Sequence, residues 1–327
     1  MAGISRETTV AQVLSAGDEV VNSFTMTDRL YVDPDALPPL DSFSRRSRDE
    51  SVLFTTPTHF SVDYRINPYM VSGVDNSTAD QQWRELVSSY EDLADVSIMD
   101  VDAVWDDFSE VEVAPPGELP DITFCSNHAL SLPDRDGFLL AQMATDERHD
   151  EPAYFEQWCD NRNIPTEQLH VDVPFEGCGD ARWHPGRRLL WGGYGPRTDL
   201  AAYREIADRY DVGVVPLELT DDSYYHLDVC FSAIDEHTAV VCPDAFTDAG
   251  REKLDKLFET LIEVSPEAAQ DHFACNCHSL SGDIVVIEES NHQTIQALES
   301  RGYDTLHVST DEFMKAGGSV ACMAFPY

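Results

Sequence analysis

Residues 224–242 read YYHLDVCFSAIDEHTAVVC, and this stretch decides the class of fold. Two apolar runs, over 228–234 and 238–242, have the composition of strands and are separated by a short turn at Asp235. Strands joined by so short a connection pair antiparallel, because a parallel pair needs a crossover of roughly a dozen residues. The stretch therefore predicts a β-hairpin and argues against a purely parallel, doubly wound sheet.

Strand-like and amphipathic segments alternate along the rest of the chain, which is typical of an α/β fold. A second hairpin is predicted from strands at 273–278 and 284–288. Further strands are predicted at 52–54, 122–125, 137–142, 188–192, 212–216, 305–308 and 319–324. Helices are predicted over 79–94, 151–162, 200–209, 248–264, 291–300 and 310–315. No exact internal repeat is visible, so periodicity alone does not predict a repeat architecture.

The N-terminal part of the chain differs in composition from the rest. Residues 1–48 mix Ser, Thr, Asp and Pro, and beyond one predicted short helix near 10–21 they show little apolar periodicity. They predict a weakly ordered N-terminal arm that is at most loosely packed. Residues 49–327 carry the alternating strands and helices and predict a single catalytic α/β domain.

The 61 acidic and 21 basic residues give the chain a net charge of −40. Such a chain repels polyanions, so nucleic acids and anionic membranes are excluded as electrostatic partners. Self-repulsion of this size is screened in molar salt, which predicts a salt-adapted, halophilic host. The eight cysteines are spread along the chain, and no stretch approaches about 18 consecutive apolar residues. Reduced thiols and a cytoplasmic location are therefore expected.

Common cofactor motifs are missing from the sequence, which has no P-loop, no HExxH, no CxxC pair and no GxSxG. The segment 193–198, GYGPRT, resembles half of a dinucleotide-binding loop, which by itself is a weak signal. Cys275-Asn276-Cys277-His278 suggests zinc, but a structural zinc site needs about four ligands, and a strand would turn the two thiols away from His278. A buried strand with two small thiols is the favoured interpretation. Neither a metal nor a cofactor is therefore expected.

Three separate segments carry polar residues that are suited to catalysis. His226 and Asp228 lie two residues apart, which on a strand places both on one face and suits the histidine to proton transfer. Cys322 follows the glycine pair of KAGGSV (315–320) and is either a packed thiol or a nucleophile activated by a distant histidine. Glu176 and Asp180 frame the glycines of FEGCGD (175–180), where they bind a cation or cap a turn. None of these segments is decisive alone.

Taken together and in order, six segments resemble the guanidino-group-modifying enzyme superfamily. That superfamily includes arginine deiminase, dimethylarginine dimethylaminohydrolase, glycine amidinotransferase and the arginine dihydrolases. The segments are PTHFSVDYRINPYM (57–70), LPDITFCSNHAL (119–130), FEGCGDARW (175–183), LLWGGYGPRTD (189–199), YYHLDVCF (224–231) and KAGGSVACM (315–323). The resemblance implies a pentein fold, a five-bladed α/β propeller of ββαβ units around a central active-site channel.

The resemblance also implies roles for the polar residues. Cys322 would be the nucleophile and His226 the general acid and base. Glu176, with Asp180 as the alternative for the same place, would orient His226 and hold the substrate guanidinium. Asp228 would take up the remaining guanidinium N–H groups. This set agrees with the chemistry, because a protonated guanidinium is a poor electrophile until carboxylates fix its plane against a thiolate.

Two asparagines separate the members of the superfamily. Typical deiminases have FTRDP where this chain has FCSNH (124–128), so Asn127 replaces an aspartate that binds the guanidinium. Asn67 lies in INPYM (66–70), and this pair resembles the arginine dihydrolases, which convert arginine to ornithine with release of ammonia and carbon dioxide. Arg197 falls where deiminases use an arginine to bind the amino-acid carboxylate.

The predicted function is cysteine-dependent hydrolysis of arginine or a related guanidino compound through a covalent amidino-thioester. The partner would be a small cationic, arginine-like substrate. A homo-oligomer is compatible with the sequence. The alternatives are an amidinotransferase that passes the amidino group to an amine, or a dimethylarginine dimethylaminohydrolase. A binding module without catalysis is a third interpretation, against which the cysteine, the histidine and the paired acids are all present.

Overall fold

The computed structural model describes residues 29–108 and 112–327. The helix predicted near 10–21 lies outside these residues. The strands are β1 Ser51–Thr55, β2 Asp95–Met99, β3 Ala129–Ser131, β4 Phe138–Leu140, β5 Thr166–Glu167, β6 Ala181–Trp183, β7 Leu189–Tyr194, β8 Gly213–Glu218, β9 Phe231–Ala233, β10 Thr238–Val241, β11 Thr260–Glu263, β12 Ile284–Glu288, β13 Asp304–Val308 and β14 Phe325–Pro326. The helices are α1 Asn76–Tyr90, α2 Val101–Trp105, α3 Glu151–Asp160, α4 Gly177–Asp180, α5 Leu200–Tyr210, α6 Asp248–Leu257, α7 Pro266–Asp271, α8 His292–Glu299, α9 Asp311–Met314 and α10 Val320–Met323.

The described strands form five small sheets that share one plan. In the sheet β3-β4-β5 an antiparallel hairpin is followed by α3 and a parallel third strand. The sheets β6-β7-β8 and β9-β10-β11 repeat this order, with α5 and α6 as the crossover helices. The α/β class and the hairpin predicted at 228–242 are therefore confirmed.

The other two sheets complete the plan with strands from elsewhere in the chain. β12 and β13 are parallel and joined through α8, and a single antiparallel bridge from His278 to Val286 stands in for the first strand. β1 and β2 are parallel and joined through α1, and their antiparallel partner is β14 at the C-terminal end. Pairing of β14 with β1 thus brings the end of the described chain back to its first sheet.

Helix α5 shows how local sequence signals position the site. Asp199 caps its N-terminus by accepting a hydrogen bond from the Ala201 N–H, and Asp211 ends it in the left-handed conformation. Its buried Tyr203 donates to the carbonyl oxygens of Asp180 and Gly193 at 2.9 Å each. A Cβ at Gly192 would lie 2.6 Å from the Tyr203 ring, so glycine is what admits the ring here. The helix thereby fixes the turn that carries the predicted acids.

Three predicted strands are wrong. Residues 122–125 form turns that lead into a short 3-10 helix at Cys125–Asn127, and 319–324 contain the helical turn α10. Residues 273–278 form a turn in which Phe273 has a φ of 52°, so the second hairpin reduces to the His278 bridge. All three segments are buried, and an apolar run reports burial without distinguishing a strand from a buried turn. The helix predicted over 248–264 also ends at Leu257, and β11 follows it.

The described part of the predicted arm packs against the sheets. Leu30 bridges Val214, Phe43 is buried, and the Arg46 guanidinium lies 4.7 Å from the centre of the Trp183 ring. Residues 29–48 are thus more tightly packed than their composition predicts, while a domain boundary at residue 48 stays a prediction. Over the described ranges, no helix combines the length and the apolar character that crossing a bilayer requires.

Candidate active site

A small cavity brings most of the predicted site residues together. His226 and Cys322, about a hundred residues apart in sequence, both line it. Its other polar lining residues are Asn67, Asn127 and Arg197, which the sequence predicted, and Asp121 and Arg148, which it did not. The predicted acids Glu176, Asp180 and Asp228 are buried; Glu176 and Asp228 contact the lining residues His226 and Cys322, whereas Asp180 contacts Leu227, the neighbour of His226.

Glu176 contacts the histidine directly. Its Oε2 lies 2.6 Å from Nε2 of His226, and its Oε1 accepts the Ala144 N–H at 2.9 Å. Burial raises the pKa of Glu176, but the hydrogen bond and charge of His226 and the charges of Arg197 and Arg148 outweigh it and lower this pKa to about 2. Glu176 is therefore a carboxylate at neutral pH, and it fixes the orientation of the imidazole.

Asp180, the alternative partner for His226, makes different contacts. Its carboxylate accepts the Thr198 hydroxyl at 2.6 Å and the Leu227 N–H at 3.0 Å. Burial raises its pKa to about 6, against the lowering effects of the His226 charge and the Thr198 hydrogen bond. Of the two acids in FEGCGD, Glu176 binds the imidazole, and Asp180 holds the backbone next to it.

The Glu176 turn depends on its glycines. Gly177 has a φ of 52°, and a Cβ there would lie 2.6 Å from the Ala129 carbonyl oxygen. At Gly179 an added Cβ would lie 2.1 Å from Nδ2 of Asn127. The turn can therefore press against the Asn127 segment only because both positions lack a side chain.

The sulfur of Cys322 is held between an amide and a carboxylate. Asn276 Nδ2 donates to Sγ at 3.1 Å, and Sγ donates to Oδ2 of Asp228 at 3.3 Å. Burial raises the pKa of the Cys322 thiol well above its ordinary value, and the negative charge of Asp228 raises it further. Cys322 is therefore a thiol in the unliganded site.

Asn276 also fixes the helical turn that carries the cysteine. Its Oδ1 accepts the backbone N–H groups of Ala321, at 2.9 Å, and Cys322, at 3.3 Å. This residue belongs to the motif that suggested zinc, and no sequence signal marks its contact with the sulfur. Its neighbour His278 instead contacts the Tyr90 hydroxyl at 3.0 Å, and the described residues contain no group of three metal-ligating side chains suited to an ion.

The sequence predicted that Asp228 and His226 lie on one strand, and this prediction is wrong. Asp228 sits in a 3-10 helix at Leu227–Val229, and His226 is the residue that precedes it. Asp228 Oδ2 also accepts a hydrogen bond from Nη2 of Arg182 at 3.2 Å, while its buried Oδ1 has no partner among the described residues. The irregular backbone directs the two side chains to different partners, Glu176 and Cys322.

The two predicted asparagines differ in what they leave free. Both polar atoms of the Asn67 side chain bind backbone groups: Nδ2 donates to the Ala316 carbonyl at 2.9 Å, and Oδ1 accepts the Tyr69 N–H at 3.0 Å. Asn127 accepts a hydrogen bond from Arg148 Nη1 at 2.9 Å, but its buried Nδ2 has no partner among the described residues. Asn67 therefore ties a loop to the segment before Cys322, and Asn127 keeps a donor available beside the cavity.

Arg197 also lines the cavity and shares the Glu176 carboxylate with His226. Its Nη1 binds the Glu176 carboxylate at 3.2 Å, and its Nη2 donates to the Ile66 carbonyl at 2.7 Å. The predicted segment GYGPRT thus positions an arginine at this cavity.

Arg148 and Asp121 accompany it. Arg148 is paired with Glu151 at 2.6 Å, and Asp121 accepts the Tyr64 hydroxyl at 2.9 Å through Oδ2 and leaves a buried Oδ1 unpaired. Burial raises the pKa of Asp121 to about 7, although the charge of Arg148 opposes this. Asp121 could have been found, since it lies in the same quoted motif as Asn127, whereas no motif marks Arg148.

Comparison with known proteins identifies the family of the chain. Residues 108–327 match the family model of eukaryotic N,N dimethylarginine dimethylhydrolase. The chain is 32% identical over 276 residues to the bifunctional arginine dihydrolase/ornithine cyclodeaminase AgrE of Nostoc sp., covering 83% of this chain and 37% of AgrE. It therefore spans little more than a third of that bifunctional relative. It is also 32% identical over 302 residues to the N(G),N(G)-dimethylarginine dimethylaminohydrolase of Mycobacterium tuberculosis, covering 91% of each.

A solved structure is similar over most of the chain. The N-terminal domain of ArgZ, a cyanobacterial arginine dihydrolase of the ornithine-ammonia cycle bound to its product, has a TM-score of 0.75 and 29% sequence identity. The match covers 85% of this chain and 97% of that domain. A variant of the same domain is covalently bound to a reaction intermediate. The family match and the identities show that the chain belongs to the dimethylarginine dimethylaminohydrolase family of the guanidino-group-modifying enzymes.

Proposed function

We propose that this chain hydrolyses arginine, or a close guanidino analogue, through a covalent intermediate on Cys322. The observation that carries the proposal is the convergence of Cys322 and His226 on one cavity. There Glu176 lies 2.6 Å from the imidazole and Asp228 lies 3.3 Å from the sulfur. A thiol, a proton carrier and two carboxylates are the groups that attack on a guanidinium requires.

The unpaired polar atoms indicate how the substrate binds. Buried polar atoms without partners are rare, and here they include Oδ1 of Asp228, Nδ2 of Asn127 and Oδ1 of Asp121. In the proposed complex Asp228 and Glu176 accept the guanidinium N–H groups. At the opposite end Arg197 binds the α-carboxylate and Asp121 the α-ammonium group of the same amino acid.

The first half-reaction replaces an amine by the enzyme sulfur. The Cys322 thiol passes its proton to His226, and its sulfur attacks the central guanidinium carbon and forms a C–S bond, which gives a tetrahedral adduct. His226 then protonates one nitrogen, the C–N bond breaks, ammonia leaves, and an amidino-thioester remains. Glu176 supports this proton transfer by stabilising the positive charge that passes over His226.

The second half-reaction releases the product. His226 takes a proton from water, the hydroxide adds to the intermediate carbon, and the C–S bond breaks to give citrulline and the free thiol. A second attack on the citrulline ureido group, with loss of another ammonia and of carbon dioxide, gives ornithine and consumes a second water.

We assign this second cycle to Asn127. An amide at this position can both donate to and accept from a neutral ureido group, whereas the carboxylate of the deiminases can only accept. The names of the relatives AgrE and ArgZ support a dihydrolase, since both are described as arginine dihydrolases.

The high pKa of Cys322 implies that the thiolate forms only when the substrate is bound. A guanidinium bound to Asp228 places positive charge near Sγ and offsets the negative charge that disfavours the thiolate. The thiol would therefore lose its proton in the complex rather than in the free enzyme, which also protects it from oxidation between turnovers.

We further propose that the five sheets are the blades of an α/β propeller around the active-site cavity. Their shared order of hairpin, helix and parallel strand supports this arrangement. The catalytic domain would comprise 49–327 in a cytoplasmic, salt-adapted enzyme. Measuring solubility and unfolding between dilute and molar KCl tests the salt adaptation.

A product assay tests the function. Purified protein is incubated with L-arginine, and citrulline, ornithine and ammonia are quantified, with Cys322→Ser as the inactive control. Ornithine with ammonia is expected, whereas citrulline alone would indicate a deiminase. No turnover of arginine, with or without glycine as amidino acceptor, would reject the proposal.

A second candidate is hydrolysis of N(G),N(G)-dimethylarginine, which the family model and the mycobacterial relative favour. The same assay with dimethylarginine, followed by detection of dimethylamine, separates the candidates. A ratio of kcat/KM values that favours dimethylarginine would establish the second one.

A further inference from the structure

A second cavity, open to solvent, lies next to the segment that carries the nucleophile. Ala321 lines it, whereas the next residue, Cys322, lines the substrate cavity, and the two cavities share no lining residue. Arg182, on β6, connects them, because it lines the second cavity and donates through Nη2 to Asp228 and to the Ala321 carbonyl. The proposed reaction gives this cavity no role.

The charges around this second cavity are predominantly positive. Three arginines line it, Arg46, Arg48 and Arg182, against one lining carboxylate, Asp49. Asp49 is paired with Arg46 at 2.8 Å, and Arg48 has no carboxylate within ion-pair distance in the part of the chain that the structure describes. In a chain with a net charge of −40, an arginine left without a carboxylate beside a cavity is unexpected.

The two histidines that line this cavity are uncharged at neutral pH. Burial lowers the pKa of His184 to about 4 and that of His278 to about 3, so both are neutral at pH 7. The negative charge on the far side of Arg182 belongs to Asp228, which is itself bound to Cys322. The cavity therefore keeps a net positive lining at neutral pH.

The arginines also have hydrogen-bond donors to spare. Arg182 uses Nη2, and among the described residues the one hydrogen bond of the Arg48 guanidinium is a long one, 3.5 Å, from Nη1 to the Leu280 carbonyl. Gly282 leaves room for the Arg48 guanidinium, since a Cβ there would lie 2.1 Å from Nη1. Arg46 is held by Asp49, Ser131 and the Trp183 ring, yet its buried Nε has no described partner.

We propose that this second cavity binds a small oxyanion, a phosphate or a carboxylate, between the guanidinium groups of Arg48 and Arg182. Guanidinium presents paired N–H donors in the spacing of two oxyanion oxygens, and partial burial strengthens the attraction. This site is distinct from the substrate cavity, which is lined by two other arginines, Arg148 and Arg197.

Calorimetric titration at constant KCl concentration tests the proposal, with inorganic phosphate in one arm and acetate in the other. Arg48→Gln removes one proposed contact, and Arg45→Gln is the matched control because Arg45 is exposed and pairs with Glu236 outside this cavity. We expect saturable binding of one oxyanion in the wild-type chain and in Arg45→Gln. Arg48→Gln should weaken it about tenfold, which is the typical loss of a charged hydrogen bond.

The arms separate the ligand chemistries, because preference for phosphate indicates a tetrahedral anion and preference for acetate a carboxylate. Circular dichroism checks that both variants are folded. Absence of saturable binding with either anion would overturn the proposal. Equal losses in Arg48→Gln and Arg45→Gln would also overturn it, since they would reflect general screening. Neither result depends on which guanidino compound the enzyme hydrolyses.

Discussion

Replacing Glu176 by glutamine should cost the enzyme about two orders of magnitude in kcat. The shift of the Glu176 pKa from 4.5 to about 2 corresponds to about 3 kcal/mol, since each pH unit is about 1.4 kcal/mol. The hydrogen bond from His226 supplies the largest part of this energy, followed by the charges of His226, Arg197 and Arg148, and an amide in place of the carboxylate loses the charge interactions. If the same energy stabilises the imidazolium in the transition state, about 3 kcal/mol is about a hundredfold in rate.

Asp180→Asn is the matched control, because Asp180 is equally buried but contacts Thr198 and Leu227 instead of the imidazole. We expect its kcat to fall less than about tenfold, since the amide oxygen can still accept the Leu227 N–H. Steady-state assays at pH 7 with arginine compare the variants. A larger loss in Asp180→Asn than in Glu176→Gln would refute the assignment of Glu176 to His226.

The interaction of Glu176 with His226 also predicts how the stability of the protein depends on pH. Glu176 has a folded-state pKa below its unfolded value, so its contribution is complete above about pH 4.5 and is lost as pH falls toward about 2. Denaturant unfolding of wild type and Glu176→Gln should therefore differ most near neutral pH and converge in acid. A difference that stayed constant from pH 7 to pH 3 would contradict this reasoning.

Three further changes test the nucleophile and the product. Asp228→Asn removes the charge that raises the Cys322 pKa, so iodoacetamide should label Cys322 faster at pH 7, as peptide mass spectrometry would show, and unchanged labelling would argue against it. Asn276→Ala leaves the Ala321 and Cys322 N–H groups without their acceptor and should lower kcat about tenfold and stability by about 1–3 kcal/mol, measured by assay and denaturant melts. Asn127→Asp should raise the citrulline-to-ornithine ratio among the products, and an unchanged ratio would remove Asn127 from the second cycle.

Sequence patterns predicted the regular part of this fold well. The apolar runs of β7, β8, β10 and β12 are bounded by turn residues and occur as strands near their predicted limits. The five-fold repetition was invisible, because the sheets share backbone pairing while their side chains differ. One unit also takes its antiparallel strand from the C-terminal end, which no local pattern reports.

The wrong strand predictions fall at the candidate site. Residues 122–125, 273–278 and 319–324 are apolar and buried, yet each forms a turn that brings Asn127, Asn276 or Cys322 to its contacts. A regular strand would have alternated these side chains between two faces and sent neighbours in opposite directions. Departure from the pattern is therefore what lets one side chain, Asn276, accept two consecutive backbone N–H groups and also donate to the Cys322 sulfur.

Charge balance finally connects the site to a class of substrate. A cavity for a simple guanidinium needs acids, and Glu176 and Asp228 provide them, but Arg148 and Arg197, which line the same cavity, would repel a ligand that carried positive charge alone. Both arginines are buried beside carboxylates, Arg148 with Glu151 and Arg197 with Glu176, and although burial lowers the pKa of Arg148, the charge and hydrogen bonds of Glu151 outweigh burial and raise it. A ligand with a carboxylate at one end and a guanidinium at the other can pair with the arginines and with the acids at the same time. Agmatine, which lacks the carboxylate, should therefore have a kcat/KM at least about tenfold below that of arginine, and equal values would show that the arginines serve the fold alone.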